Sequence, residues 1–171
     1  MKVAVNGIFS TPFHIMCGVR QGDPLSCLAF DLAIEPLACM LRHEPTLRGL
    51  ELLGLNEKLL AKFFADDTAL YLSHEDRFDD VQKLLTAWCE VSGAKFNIEK
   101  TEIIPIGSEE HQHAVTHTRK VNEQDMTTLN DQIHIAKDGE AVRSLGAWIG
   151  NKTRDTDPWE PILDKVSRAL N

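Results

Sequence analysis

The sequence predicts an α+β fold, and three observations predict it. Asn6-Gly7 is a hairpin signal between short apolar runs, and Asp66-Asp67 sits between two more. Leu25, Leu28, Ala29, Leu32, Ala33, Leu37, Met40 and Leu41 recur at helical spacing, as do Phe78, Val81, Leu85 and Trp88. A length of 171 residues and 43% hydrophobic content suffice for one domain with a sizeable core.

Taken in order, Val3–Val5 and Phe9–Met16 read as strands joined at Asn6-Gly7. Asp23 suits an N-cap and Pro24 a first helical position, opening a helix to about Arg42 that Pro36 interrupts. Leu47–Leu55, with Gly49 and Gly54, is a turn or short-strand region. Leu59–Phe64 and Ala69–Leu72 follow as a hairpin. Lys62 is its only charge besides the two acids, so its strands are expected to be largely buried. The Phe78 helix should end near Gly93, and Glu102–Ile106 reads as a strand. Residues 107–131 are polar and without periodicity, and are expected to be a flexible insertion. Ile133–Ile135 and Ala141–Ile149 suggest a hairpin around Asp138-Gly139, and a last helix starts near Asp157-Pro158. There is no internal repeat and no sharp domain boundary.

Phe64-Ala65-Asp66-Asp67 is the most informative segment for chemistry. Two carboxylates at a hairpin tip can hold a hard divalent cation such as Mg²⁺, which takes oxygen ligands. Asp is also common in solvated turns, and the segment alone leaves both readings open. Gly18-Val19-Arg20-Gln21-Gly22-Asp23 leads into the first helix. Its glycines allow close approach to a ligand, and a helix start offers free N–H groups to an anion. In isolation the loop reads first as an ordinary capped helix with a glycine-containing lead-in.

Other features point to fewer functions. The net charge is −8, from 18 basic and 26 acidic residues. Affinity for a polyanion rests on Lys and Arg, so this balance predicts weak nucleic-acid binding by the chain alone. Cys17, Cys27, Cys39 and Cys89 show no metal spacing and fit a reduced intracellular setting, nuclear or cytoplasmic. His111, His113 and His117 are of ligating type for Zn²⁺ or Ni²⁺, yet no flanking pattern fixes their geometry, and they read as loop residues. No apolar stretch reads as a membrane span.

Together these blocks resemble a known family. Gly18–Ser26 with Phe30, Glu35 and Leu37, then Phe64–Asp67, is similar to the palm of a reverse transcriptase, closest to the non-LTR (LINE-type) retrotransposon enzymes. Trp88, Ser92-Gly93, Lys95, Asn97 and Lys100-Thr101 resemble the segment after the paired aspartates. Leu145-Gly146 with Ile149-Gly150 resembles the primer-grip hairpin, and Trp159, Pro161 and Ile162 the start of the thumb.

The resemblance implies a partial palm over 1–150, an antiparallel sheet with helices on one face, and a thumb beginning over 151–171. It implies nucleotidyl transfer from a deoxynucleoside triphosphate to a primer 3′-hydroxyl by two-metal catalysis, with Mg²⁺ or Mn²⁺ and an RNA template. By this resemblance Asp66 and Asp67 are metal ligands and Lys100 is a proton donor to pyrophosphate, although Lys100 reads equally as a solvated lysine among Glu99 and Glu102. Arg20, Gln21 and Gly22 would line the nucleotide pocket, and Leu145 and Gly146 would position the primer. The family's third metal-binding aspartate lies on an earlier palm strand. Lys2–Val5 already resembles the strand just before the capped loop, so an N-terminally truncated palm, inactive alone, is the expectation. The alternative is a non-catalytic remnant that serves as a protein-interaction module or has no selected role.

Overall fold

The computed structural model describes residues 2–14, 18, 22–52, 58–154, 156 and 159–170. The fold is mixed α/β, with two units, Met1–Pro36 and Leu37–Asn171.

In the first unit, β1 (Ala4–Val5) and β2 (Ile8–Phe9) pair antiparallel, Ala4 opposite Phe9 and Val5 opposite Ile8. Asn6 and Gly7 both take positive φ, 50° and 80°, the twist that a two-residue hairpin requires. Ser10 closes the open end: its N–H donates to the Val3 carbonyl at 2.8 Å and its Oγ accepts from the Val3 N–H at 3.0 Å. Asp23 caps α1 (Pro24–His43), its Oδ1 accepting from the Leu25 N–H at 2.9 Å. The unit boundary falls at Pro36, where the ring removes one helical N–H.

The expected absence of a membrane-length stretch needs correction at α1. Its 20 residues are long and apolar enough to cross a bilayer by length and composition. Asp31 and Glu35 stand in its middle, a costly place for carboxylates in hydrocarbon, and Leu37, Ala38 and Leu41 are buried in protein.

The second unit builds on small ladders. β3 (Leu50–Glu51) pairs with β4 (Lys58–Leu59), and β5 (Ala61–Phe64) with β6 (Asp67–Leu70), both antiparallel. α2 (Phe78–Ser92) ends at Gly93, whose left-handed φ of 72° lets its N–H reach the Cys89 carbonyl. β7 (Glu102–Ile103) pairs parallel with β8 (His134–Ile135), while β9 (Val142–Ser144) and β10 (Ala147–Ile149) form the last hairpin. α4 (Glu160–Leu170) closes the chain. The expectation of one antiparallel sheet is therefore replaced, among the described residues, by five two-stranded ladders, one of them parallel.

Two further expectations change. The segment read as a flexible insertion contains α3 (Glu109–Thr118), capped by the Ser108 hydroxyl. Val115 of α3 joins Leu129, Ile133 and Ile135 in a buried cluster, with Phe78, Ile103 and Val121 packed against it. The terminal hairpin turns at Leu145-Gly146 rather than Asp138-Gly139. Ile135 is drawn away to pair with Ile103, so the strand after Gly139 finds 147–149 instead.

Ladders of two strands are marginal alone. Buried carboxylates fasten them here. Asp76, fully buried, accepts from the N–H groups of Arg48 (2.6 Å), Gly49 (2.8 Å) and Ser73 (2.8 Å). Gly49 suits this clip because its φ is 68° and a Cβ would lie 2.7 Å from the Leu59 carbonyl oxygen. Asp79, in the first turn of α2, accepts from the Thr127 hydroxyl, the Met126 N–H (2.6 Å) and the Arg77 guanidinium (3.1 Å). Asp125 returns the contact, accepting from the Asp79 N–H at 3.3 Å and the Asn122 N–H at 2.9 Å.

Asp76→Ala leaves three N–H groups without their acceptor and is expected to cost roughly 3–5 kcal/mol. A loss below about 1 kcal/mol in urea unfolding would show that water replaces the carboxylate. The Thr127 hydroxyl, and after it the Met126 N–H, hold the Asp79 carboxyl at about 2 against burial, which pushes it up. The folded state thus favours the ionised form. That stabilisation is complete above the ordinary value of 3.8 and drains away as pH falls toward about 2. Asp79→Asn should flatten the loss of stability across this window, and urea midpoints of the two proteins that run parallel from pH 5 to pH 2.5 would refute it.

Candidate active site

The acid pair sits at the tip of the β5–β6 hairpin. Ala61 faces Leu70, Lys62 faces Ala69, Phe63 faces Thr68 and Phe64 faces Asp67. Ala65 and Asp66 therefore form the turn, and Asp67 is the first residue of the returning strand. The root is firm: the Tyr71 N–H donates to the carbonyl of buried Leu60 at 2.8 Å, and Ser73 is held by Asp76. The expectation of largely buried strands holds only on one face. Phe63 and Thr68 are half-buried, whereas Lys62, Phe64, Ala65, Asp66 and Asp67 are exposed, Phe64 by 64%. Alternation across the ladder places one face inward and leaves the tip in solvent.

Among the described residues, neither acid side chain makes a hydrogen bond or ion pair. Hard, unengaged oxygens on adjacent residues fit Mg²⁺, which is commonly held by one or two carboxylates with water and phosphate completing its shell. No group of three or more His, Cys, Asp or Glu side chains gathers as a metal site among the described residues. Among the described residues, the carboxylates at this tip are those of Asp66 and Asp67.

Ala65 adopts φ 51°, a left-handed conformation that costs a non-glycine residue energy and that clusters at functional turns. Leu145 does the same at 50°, followed by Gly146 at 85°, in the β9–β10 turn. Leu145 is 48% exposed. Behind this turn, Lys152 donates to Asp138 at 2.7 Å and Glu109 at 2.6 Å, which hold its ammonium well above the usual lysine range. An apolar groove of about 370 Å³ lies beside β10, lined by Ile104, Ile106, Trp148 and Ile149.

Lys100 closes a short 3-10 turn, Ile98–Lys100, that Asn97 caps. The Lys100 N–H donates to Asn97 Oδ1 at 3.3 Å, and the Thr101 hydroxyl to the Asn97 carbonyl at 2.9 Å. Trp88 and Phe96 pack with ring centroids 5.8 Å apart, tying this turn to the end of α2. The Lys100 side chain is exposed, and no described hydrogen bond or ion pair joins it to Asp66 or Asp67. Gly22, at φ 82°, belongs to the first unit, whereas the acids, Lys100 and the Leu145-Gly146 turn belong to the second. Arg20 and Gln21 lie outside the described residues, as do Cys17 and Asp157-Pro158.

Sequence reasoning missed the buried carboxylates that hold these parts. Ser73-x-x-Asp76 ahead of an apolar helix has capping-box spacing, and that signal could have found the clip. Nothing local marks the contacts that Asp79 and Asp125 make across 46 to 48 residues of sequence.

The family model described as Reverse transcriptase (RNA-dependent DNA polymerase) matches residues 3–146. The Transposon TX1 uncharacterized 149 kDa protein of Xenopus laevis is 32% identical over 106 residues, which are 62% of this chain. The match spans only 8% of that relative's length. The chain belongs to the reverse transcriptase family.

Proposed function

We propose that this chain supplies the palm, over residues 1–150, and the first thumb helix, over 151–171, of a retrotransposon RNA-directed DNA polymerase. The unengaged acid pair at a firmly rooted hairpin tip, inside the span of the family match, carries this reading. The substrates are a deoxynucleoside triphosphate, an RNA template and a DNA primer.

The reaction joins the primer 3′-oxygen to the α-phosphorus and releases pyrophosphate. Asp66 and Asp67 would hold Mg²⁺, which when bound neutralises phosphate charge and favours an attacking alkoxide. Asp66, in the turn, is the principal ligand and Asp67 the second. Lys100 donates a proton to the leaving pyrophosphate, since an ammonium both stabilises that charge and can give up a proton. Leu145 and Gly146 seat the primer end by shape. By the family resemblance, Arg20, Gln21 and Gly22 would line the pocket for the incoming triphosphate.

Two protein carboxylates are fewer than two ions require, and a net charge of −8 disfavours template binding. The 171-residue polypeptide is therefore expected to show no incorporation on a primed RNA template with dNTPs and Mg²⁺. Incorporation abolished by Asp66→Ala would overturn that inactivity while supporting the catalytic role. Cation binding is testable without turnover. Substoichiometric Mn²⁺ should broaden the amide signals of residues 65–68 selectively, and Asp66→Asn with Asp67→Asn should remove the effect. Uniform broadening across all surface carboxylates would sink the metal assignment.

A second reading, a non-catalytic module that associates with protein, is favoured by one observation. Ile8, Phe9, Leu25, Leu28 and Leu32 of the first unit are exposed, Leu32 by 77%. It predicts concentration-dependent association that Leu28→Glu with Leu32→Glu reduces. A monomer at all concentrations in sizing chromatography speaks against it.

A further inference from the structure

The segment expected to be a loop is a helix, and that changes what its histidines can do. His113 and His117 are four residues apart on α3, both exposed, with ring centroids 4.1 Å apart and planes tilted by 36°. Residues at i and i+4 stack on one helical face. Two imidazoles so placed are the helical pattern that ligates Zn²⁺ in His-x-x-x-His sites.

The helix is held so that this face stays open. At about 100° per residue, Val115 points roughly opposite the pair, and it is buried in the core cluster. The Ser108 hydroxyl caps the start, accepting from the His111 N–H at 3.3 Å. At the other end Arg119 takes φ 52° and its guanidinium donates to the Asn130 and Ile133 carbonyls, each at 2.7 Å. His111 lies on the Val115 side and is half-buried, so it is not a third ligand. Glu109 and Glu110 share the face of the pair, one turn earlier. Glu109 is engaged by Lys152 at 2.6 Å, and Glu110 by its own N–H and the Ser108 hydroxyl. They add negative potential beside the imidazoles without supplying ligands.

We propose that His113 and His117 form a two-histidine site for a divalent first-row transition ion of the Zn²⁺ and Cu²⁺ class, with water completing the coordination. Imidazole nitrogen selects these ions over Mg²⁺, which prefers oxygen. The site is independent of the acid hairpin and of the polymerase reading.

The test is titration of the chelator-stripped 171-residue chain with Zn²⁺, Cu²⁺ and Mg²⁺ by calorimetry, with signals assigned by NMR. One equivalent of Zn²⁺ should shift the His113 and His117 ring signals. Cu²⁺ should bind more tightly than Zn²⁺, and Mg²⁺ should leave these rings unmoved. His113→Ala or His117→Ala should each weaken Zn²⁺ binding roughly tenfold or more, because the second ligand adds at high effective concentration. His111→Ala and Asp66→Asn should leave it unchanged. Circular dichroism of each variant separates loss of the helix from loss of a ligand. No binding at millimolar Zn²⁺, binding that survives His113→Ala with His117→Ala, or binding lost in folded His111→Ala overturns the proposal.

Discussion

The second unit depends on buried carboxylates that accept backbone N–H groups. Asp76 gathers three donors from two segments far apart in sequence, 48–49 and 73. Asp79 and Asp125 bind each other's segments, joining the start of α2 to residues 122–127. A broad sheet would satisfy such donors by strand pairing. Ladders two strands wide leave them over, and an unsatisfied buried N–H costs about 1–3 kcal/mol. The carboxylates answer that deficit, and the geometry of α2 follows. Phe78 packs on the cluster of Val115, Leu129, Ile133 and Ile135 because the residue after it is fastened to Thr127. The hairpin bearing Asp66 inherits its rigid root from the same clip, through Ser73.

How far the sequence revealed this depends on how local each signal is. Asn6-Gly7, Asp23-Pro24 and the Gly93 stop are local, and each stands where its chemistry requires. The α1 boundaries follow from Pro24 and a long apolar period. Helix α3 escaped because only Val115 of its ten residues is buried, so no period of 3.6 shows. Its marks were at the ends: Ser108 as cap, with Glu109 and Glu110 in the first turn, where carboxylates favour the helix dipole. Asp138-Gly139 misled for the opposite reason. It is a real turn, with Gly139 at φ 81°, but the parallel pairing of Ile103 with Ile135 decides which strands meet. That choice is tertiary.

The candidate site was legible to a similar degree. The acid pair lies at the hairpin tip where two apolar runs meet, and Leu145-Gly146 forms a turn of its own. What sequence could not convey was exposure. A hairpin with one flanking lysine reads as buried, yet alternation turns Phe63 and Thr68 inward and Phe64 outward. An exposed tip suits a site that must admit both a cation and a polyanion. In the proposed catalytic role, solvent and salt would weaken each ion contact at so exposed a tip, and bound phosphate would supply part of the attraction.

Donor chemistry keeps the two candidate cation sites of this chain apart. Asp66 and Asp67 offer only oxygen, which a hard ion accepts while retaining most of its water. His113 and His117 offer nitrogen on a helix whose opposite face is buried, so the backbone spacing of the two residues is set by the fold before any ion arrives. A borderline ion gains from imidazole what Mg²⁺ does not, and the Glu109 carboxylate beside the histidines is already engaged by Lys152. Preorganisation differs as well. The acid tip is rooted at Ser73 but ends in a strained turn at Ala65, whereas the histidine pair stands mid-helix. The selectivity proposed for each site would therefore come from its own ligand atoms, and the rigidity of its element from the distant contact that anchors it.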